Sequence, residues 1–394
     1  MTAYFTSVTC APPVRSEGFF SGPVPGLYVH IPFCRSRCSY CAFVSGEYRS
    51  ERADAYIAAL KNELALRIGC LRGGMPGTLF IGGGTPSCLD YSQFERLFSF
   101  LPMPENGEAT CELNPDSTDM RKLALLREAG INRVSFGVQT FSPGGLSLLG
   151  RRHDAETARK RIVEAVQAGF FSVNIDFITA WPGQSLECLR RDLLEAVNLG
   201  VTHISCYNLM IEEESGFHRV MGERGLVRKD EDEVRVFWDE TVSVLERHGF
   251  EQYEISNFAR PGYCCRHNVD TWKGKEYLGI GVSAHSHIRG ERFANTSNIE
   301  RYIALLGNGE LAESFSERLG GEEKARECAV FWFRMMDGID SREFLERTGV
   351  DLFSLYAREL PSLVERGIVV IEGPVVRIRR EYHPVLDSIL IDLV

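Results

Sequence analysis

The sequence has no excess of basic charge. Its 44 Lys and Arg residues are outnumbered by 54 Asp and Glu residues, which gives a formal net charge of −10 at pH 7. Binding to nucleic acids requires a basic surface that displaces counterions from the phosphate backbone. The overall balance therefore disfavours nucleic acid as a partner.

Long hydrophobic runs are also missing. No stretch approaches the ~20 apolar residues of a membrane-spanning helix, and the N-terminus lacks the charged start and unbroken apolar run of a signal peptide. We therefore expect a cytoplasmic protein without a transmembrane segment, for which peripheral contact with a membrane stays open. Because cytosolic thiols are kept reduced, the 12 cysteines do not predict a disulfide framework.

From residue 26 to about residue 210, short apolar runs alternate with amphipathic stretches. Parallel strands need a crossover long enough to hold a helix, so the alternation predicts a parallel sheet. The repeat count falls short of the ~8 units of a closed barrel, which indicates an α/β fold with an open, partial (β/α)6 barrel. The predicted strands are Leu27–Ile31, Thr78–Ile81, Thr110–Leu113, Arg133–Val138, Ser172–Phe177 and His203–Leu209, and the predicted helices are Arg52–Leu66, Tyr91–Phe98, Asp119–Ala129, Ala155–Ala168 and Leu186–Asn198.

Composition divides the chain into four segments. Residues 1–24 are rich in Pro, Ser and Gly and predict an N-terminal extension. The barrel core is expected over residues 25–230, followed by a segment over 231–315 that begins with a long helix and continues in a stretch rich in Gly, Asn and His. Residues 316–394 predict a smaller helical, winged-helix-like domain whose strand pair lies near 368–370 and 376–378.

Three cysteines, Cys34, Cys38 and Cys41, fall within eight residues on a loop that leaves the first predicted strand. This spacing can place three thiolates on three irons of a cuboidal [4Fe–4S] cluster and leave the fourth iron open. The alternatives are a structural zinc site and chance spacing. Structural zinc normally takes four ligands in two knuckles, and the chain has no second CxxC pair. Cys264 and Cys265 are adjacent and cannot form such a knuckle.

Further motifs follow the predicted strands in order. The Gly-rich run after the second strand lets a ligand approach the backbone closely. Taken together, the motifs resemble the branch of radical S-adenosylmethionine (SAM) proteins that contains oxygen-independent coproporphyrinogen III oxidases and HemW-type heme chaperones. The motifs are Tyr28-Val-His-Ile-Pro-Phe-Cys34, Gly82-Gly-Gly84-Thr85-Pro86-Ser87, Glu112-Leu-Asn-Pro115, Ser135-Phe-Gly-Val-Gln139, Asp176, Tyr253-Glu-Ile-Ser-Asn-Phe-Ala259 and Gly281-Val-Ser-Ala-His-Ser286.

The resemblance implies that residues 25–230 form a radical SAM core and that the open iron binds SAM, whose reductive cleavage yields a 5′-deoxyadenosyl radical. It also implies an electron donor such as flavodoxin or ferredoxin. By the same resemblance, the SAM site is lined by Tyr28, Gly83, Gly84, Thr85, Glu112, Gln139, Arg151 and Asp176. Carboxylates suit the amino group or ribose hydroxyls of SAM, and an arginine can pair with its carboxylate. Individually, Glu112 could instead cap a helix, Arg151 could lie on the surface, and Asp176 could satisfy a loop.

The chain departs from the family pattern at one strand end. Relatives often carry Asp-Leu-Ile-Tyr-Gly-Leu-Pro-Gly, where this sequence has Asp176-Phe-Ile-Thr-Ala-Trp-Pro-Gly183. The shape of the pocket near Thr179–Trp181 is therefore expected to differ.

Two positions separate the members of this branch. The oxidases resemble CxxxCxxCxC, but Phe43 stands here in place of the fourth cysteine, as in HemW-type chaperones. A heme-associated HNxxYW element of those chaperones reads His267-Asn-Val-Asp-Thr271-Trp272. Because a neutral imidazole is a common axial ligand of heme iron, we expect His267 to bind heme, with Cys264 and Cys265 as alternative contacts and His285 and His287 as further candidates.

We therefore expect a heme chaperone that transfers heme to an acceptor hemoprotein. The alternative from a different class is an oxygen-independent coproporphyrinogen III oxidase, and a radical methyltransferase that opens the heme ring has no distinctive support. No catalytic residue is predicted.

Overall fold

The computed structural model describes residues 24–211 and 216–394. The predicted N-terminal extension, apart from Val24, lies outside the described residues. Within them, no helix is both long enough and apolar enough to cross a membrane.

Six parallel strands form the centre of one large sheet, and neighbours along the chain are neighbours in the sheet. All six overlap the predicted strands, which confirms the open (β/α)6 arrangement. Their apolar side chains are almost entirely buried because helices cover the outer face of the parallel sheet. The strands are β1 (Gly26–Ile31), β2 (Thr78–Gly83), β3 (Glu108–Leu113), β4 (Arg133–Gln139), β5 (Ser172–Thr179) and β6 (His203–Asn208).

Helices connect these strands, and several begin at a side chain that accepts a hydrogen bond from the free N–H groups of the first turn. Asp90, Asp119, Asp154 and Ser185 cap four of them in this way. The helices of this half are α1 (Ser50–Arg67), α2 (Tyr91–Phe98), α3 (Met120–Glu128), α4 (Pro143–Leu149), α5 (Ala155–Gln167) and α6 (Leu186–Asn198).

The sheet extends beyond the barrel at both edges, which the sequence analysis did not predict. On the β6 side, β8 (Asn257–Ala259) pairs antiparallel with β6, and β7 (Glu251–Gln252) pairs with β8. On the β1 side, β9 (Tyr277–Ile280) runs parallel to β1. An antiparallel meander then continues from β9 through β10 (His285–Ile288), β11 (Glu291–Asn295) and β12 (Glu313–Arg318). Among the residues that the structure describes, the sheet has 12 strands and its two ends do not pair, so the barrel is open.

Four helices accompany these outer strands: α7 (Gly216–Arg224), α8 (Glu231–Arg247), α9 (Arg266–Trp272) and α10 (Ile299–Gly307). A first hydrophobic core extends from Leu27 to Ala312, so the segment predicted over 231–315 shares both sheet and core with the barrel. The predicted domain boundaries themselves stay predictions.

The C-terminal part has a second hydrophobic core, which extends from Ala325 to Leu393. It is helical and carries a small antiparallel sheet, as the winged-helix-like interpretation predicts. In that sheet, the strand Val375–Ile378 lies between Ile339–Asp340 and Val369–Glu372. The elements are α11 (Gly321–Trp332), β13 (Ile339–Asp340), α12 (Ser341–Thr348), α13 (Leu352–Leu355), α14 (Glu359–Glu365), β14 (Val369–Glu372), β15 (Val375–Ile378) and α15 (Leu386–Leu390).

Candidate functional site

The carboxyl ends of β1–β5 meet at one rim of the barrel, where ligands of α/β sheets usually bind. The loop after β1 carries the three cysteines, and a short parallel pairing of Phe33–Cys34 with Gly46–Glu47 joins its two ends. We call residues 34–41 the cysteine loop. Its base is fixed, while the loop itself extends over the rim.

All three cysteines are partly exposed at this rim. The Sγ atom of Cys34 lies 3.3 Å from the Thr85 hydroxyl, and the Arg151 guanidinium donates a hydrogen bond of 3.3 Å to the Sγ atom of Cys38. The Ser39 hydroxyl donates to the Leu148 carbonyl of α4 over 3.4 Å. Within residues 24–211 and 216–394, no three His, Cys, Asp or Glu side chains are close enough to hold a single metal ion. Binding of a cluster by the three thiols stays a prediction.

The Gly-rich run after β2 joins the second strand to the cysteine loop. The N–H of Gly84 donates to the Ile31 carbonyl over 2.9 Å, and the N–H of Thr85 donates to the Phe33 carbonyl over 2.8 Å. A Cβ atom on Gly84 would lie 2.9 Å from the Phe33 carbonyl oxygen and 3.1 Å from the Cys34 sulfur. Only glycine therefore fits between strand and loop at this position.

Two half-buried carboxyl groups, Glu112 on β3 and Asp176 on β5, belong to this rim. Glu112 accepts a 3.2 Å hydrogen bond from the Gly83 N–H, and Asp176 accepts bonds of 2.8 Å from the Ser135 hydroxyl and the Asn174 amide. Burial, helped by the charge of Asp176, raises the pKa of Glu112 to about 8. Burial also raises the pKa of Asp176. Both groups would be stabilised as carboxylates by a cationic ligand.

Arg151 follows α4 and points into the rim rather than to the surface. One terminal nitrogen contacts Cys38 and the Tyr40 hydroxyl, while the other donates to the Asn114 side chain over 2.6 Å and to the Gly137 carbonyl. Its Nε atom is buried without a hydrogen-bond partner among the described residues. The free N–H fits an anionic ligand group such as a carboxylate.

Gln139 ends β4 next to this guanidinium. The strand pairing with β5 shifts register between Gly137 and Gln139, and Gln139 takes a positive φ of 72°. A Cβ atom on Gly137 would lie 3.1 Å from both the Asn114 oxygen and the Gln139 amide nitrogen. The bulge and the glycine together leave the space toward which Asn114, Gln139 and Arg151 converge.

Tyr28 lies half-buried on β1, and the burial of its hydroxyl raises the pKa of that group. The hydroxyl lies 3.0 Å from His30 Nδ1, and His30 Nε2 lies 3.1 Å from the Val44 carbonyl. Since the carbonyl can only accept, Nε2 carries the proton and Tyr28 donates to Nδ1. These hydrogen bonds link β1 to Val44, in the segment that follows the cysteine loop.

The sequence analysis missed Asn114 and Tyr40 as site residues. Asn114 donates a 3.3 Å hydrogen bond to Thr85 in addition to its bond with Arg151. Its signal is its position, two residues after Glu112 in the same strand-end motif. Tyr40 stands directly before the last cysteine of the loop.

The atypical strand end around Thr179–Trp181 supports α4. Trp181 is buried, and a Cβ atom on Gly145 of α4 would lie only 2.7 Å from its ring. Ala180, which stands where relatives often carry glycine, takes a positive φ of 59°. The left-handed conformation therefore persists although the glycine is replaced.

His267 lies at the opposite rim, where the strands begin. It is 7% exposed, its Nδ1 lies 2.8 Å from the Thr78 hydroxyl, and its ring packs 5.2 Å from the ring of Phe80. Burial lowers its pKa to about 4. The structure therefore does not bring His267 together with the SAM residues, and heme ligation by His267 stays a prediction.

The cysteines before His267 differ in exposure. The Cys265 thiol is buried and donates to Glu108 over 3.3 Å, whereas Cys264 is exposed. The carboxylate of Glu108 also accepts bonds of 3.0 Å from the N–H groups of Arg266 and His267. It therefore caps the start of α9.

A family model described as the Radical SAM superfamily matches residues 28–196, a range that holds the cysteine loop and most of the barrel. Among solved structures, the coproporphyrinogen III oxidase HemN of Escherichia coli, titled a radical SAM enzyme, matches 94% of this chain and 90% of its own with a TM-score of 0.83. At 24% identity, this likeness shows the fold.

Curated relatives cover most of the chain. A protein named heme chaperone HemW from Bacillus subtilis is 33% identical over 349 residues, which are 87% of this chain and 92% of the relative. A protein of the same name from Escherichia coli is 33% identical over 335 residues, or 83% and 87% of the two chains. The chain therefore belongs to the HemW family within the radical SAM superfamily.

Proposed function

We propose that this protein is a heme chaperone, which binds heme and a SAM-coordinating [4Fe–4S] cluster and transfers the heme to an acceptor hemoprotein. The observation that carries the proposal is the likeness to proteins named heme chaperone HemW over more than four-fifths of the chain. Phe43 supports it, because this side chain stands where the oxidase pattern has a fourth cysteine and is 66% exposed. We also propose that the protein acts in the cytoplasm.

The rim residues fit SAM. Cys34, Cys38 and Cys41 would each ligate one iron, and SAM bound at the open iron supplies reductive cleavage chemistry. The buried Nε of Arg151 would receive the carboxylate of SAM, and Glu112 and Asp176 would accept hydrogen bonds from its amino group or ribose hydroxyls.

The other predicted SAM residues would shape the same site. Gly83 and Gly84 would let the end of β2 lie directly against His30 and the cysteine loop, and Thr85, Gln139 and Tyr28 would provide hydrogen-bonding groups around the ligand. Arg35 and Arg37 are exposed on the cysteine loop. They would suit the acidic surface of an electron donor such as flavodoxin or ferredoxin.

The cluster is tested by anaerobic reconstitution followed by measurement of iron and sulfide. We expect about four irons and four sulfides per chain, and we expect Cys38→Ser to lose most of both. The matched control is Cys264→Ser, which removes an exposed thiol outside the loop and should leave the iron content unchanged. Stoichiometric zinc without sulfide would contradict the proposal.

The chaperone function is tested by titrating heme into the same preparation and recording the Soret band. Tight, saturable binding of about one heme per chain is expected, together with transfer to an apo-hemoprotein at a rate that rises with acceptor concentration. A parallel assay with coproporphyrinogen III, SAM and a reductant tests the alternative. Formation of vinyl product without heme binding would replace the chaperone by an oxygen-independent coproporphyrinogen III oxidase.

A further inference from the structure

A large cavity lies between the antiparallel meander at the β1 edge and the C-terminal part. Its volume is about 810 Å³, which falls in the range of ~300–1,000 Å³ that holds small molecules and cofactors. One wall consists of β9–β12, another of α11 and α12, and the end of α9 closes a third side. None of the predicted SAM residues lines it.

Four aromatic side chains give this cavity an apolar lining: Trp272, Tyr277, Phe315 and Phe331. The rings of Trp272 and Phe331 lie 6.1 Å apart. Phe315 is 45% exposed and Phe331 is 40% exposed, so large apolar surfaces face the cavity without a covering group. Such a lining suits a flat, aromatic ligand.

Two histidines of β10 face the same cavity. Side chains alternate along a strand, so His285 and His287 lie on one face while Ser286 and Ile288 are buried on the other. His285 is exposed, whereas His287 is half-buried and lies opposite Tyr277 on one side and Arg292 on the other. Neither ring nitrogen of His287 has a hydrogen-bond partner among the described residues. Its imidazole can therefore ligate a metal without breaking a bond.

Three of the four Lys and Arg residues that line the cavity form ion pairs. Arg292 pairs with Glu317 and Glu327, Arg347 pairs with Glu343, and Lys275 pairs with Asp270. These pairs engage most of the charged groups that line the cavity.

Lys324, on the cavity-facing side of α11, has no ion-pair partner within residues 24–211 and 216–394. Its Nζ would lie 3.3 Å from a Cβ atom on Gly290, in the turn after β10. A half-buried, unpaired ammonium at this position suits a carboxylate of a ligand.

We propose that this cavity is the heme site, with His287 as the axial ligand of the iron and Lys324 as the partner of a heme propionate. The inference rests on the proposed function and assigns the heme to residues other than His267. The two sites share α9, because His267 lies in its first turn near the strand starts and Trp272 ends it at the cavity. The Cys328 thiol also lines the cavity, but it is 9% exposed and packs against Gly274.

The test is a titration of the full chain with ferric heme, followed by absorption and resonance Raman spectra. Loss of a residue that only supports a metal ligand typically lowers metal affinity by about 10- to 100-fold. Since His287→Ala removes the ligand itself, we expect the heme affinity to fall at least ~10-fold. Imidazole added to this variant should restore the histidine-ligated spectrum. Lys324→Gln should weaken binding about 3- to 10-fold without changing the ligation spectrum.

Two control variants separate the outcomes. His248→Ala removes an exposed histidine that does not line the cavity and should bind heme like the parent protein, and His267→Ala tests the motif histidine. If His287→Ala keeps the parent affinity and spectrum, or if only His267→Ala loses the histidine-ligated spectrum, the inference is wrong while the proposed function stands. If the parent protein binds no heme, the proposed function itself fails.

Discussion

Arg151→Gln should strongly weaken the binding of SAM. In the parent protein the guanidinium is held by Asn114, Gly137, Cys38 and Tyr40, and its Nε has no hydrogen-bond partner in the part of the chain that the structure describes. A charge-assisted hydrogen bond from this Nε to the carboxylate of SAM is worth about 1.5–3 kcal/mol. Since ~1.4 kcal/mol corresponds to a factor of ten in affinity, the variant should bind SAM about 10- to 150-fold more weakly.

The measurement is isothermal titration of anaerobically reconstituted protein with SAM, for Arg151→Gln and for Arg358→Gln. Arg358 is exposed and lies in the C-terminal part, so its substitution removes the same charge without changing the rim. Iron content and the urea midpoint of both variants show whether the site and the fold are intact. Unchanged SAM affinity in a folded, iron-loaded Arg151→Gln protein would refute the assignment of Arg151 to the SAM carboxylate.

Three further changes test the rim. Gly84→Ala places a methyl group 2.9 Å from the Phe33 carbonyl. It should lower the free energy of unfolding by about 1–3 kcal/mol and lower the iron content. The control Gly144→Ala in α4, whose Cβ would meet nothing closer than 3.9 Å, should change neither. Ala180→Gly should raise the free energy of unfolding by about 1 kcal/mol because φ at Ala180 is positive. The control Ala65→Gly in α1 should lower the free energy of unfolding by about the same amount. A lower free energy of unfolding in both variants would contradict the strain at Ala180. The pKa of Glu112 is raised to about 8 in the folded protein from 4.5, so the folded state keeps a proton that the unfolded chain releases, and the stability of the ligand-free protein should fall as pH rises from about 4.5 to 8. Urea midpoints at pH 6 and pH 8.5 should differ less in Glu112→Gln, and an identical pH dependence would show that Glu112 is not the titrating group.

The central strands were predictable because each one is a continuous apolar run followed by an amphipathic helix. The strand-end motifs could also be located, since the carboxyl ends of parallel strands share one rim. The outer strands β9–β12 are shorter and interrupted by Gly and polar residues, so their pairing with β1 depends on tertiary structure. Asn114 was missed because its hydrogen bonds to Thr85 and Arg151 join residues that are distant in the sequence.

His287 and His267 illustrate the limit of a motif. The sequence around His267 predicts a ligand, but the Thr78 hydroxyl and the Phe80 ring that surround it come from a distant strand. Conversely, the alternation that turns His285 and His287 to one face is clear only once β10 is known to be a strand. The two histidines are distinguished by their burial and by the part of the fold that their side chains face, rather than by residue type.

The position of β1 between β2 and β9 has a consequence for synthesis on the ribosome. Residues 27–31 can pair with 79–83 early, but the other edge of β1 must wait until Tyr277–Ile280 emerges. The nascent chain therefore carries an uncovered strand directly beside the cysteine loop while most of the barrel is being translated. Premature termination between these points would leave that edge open to pairing with other chains.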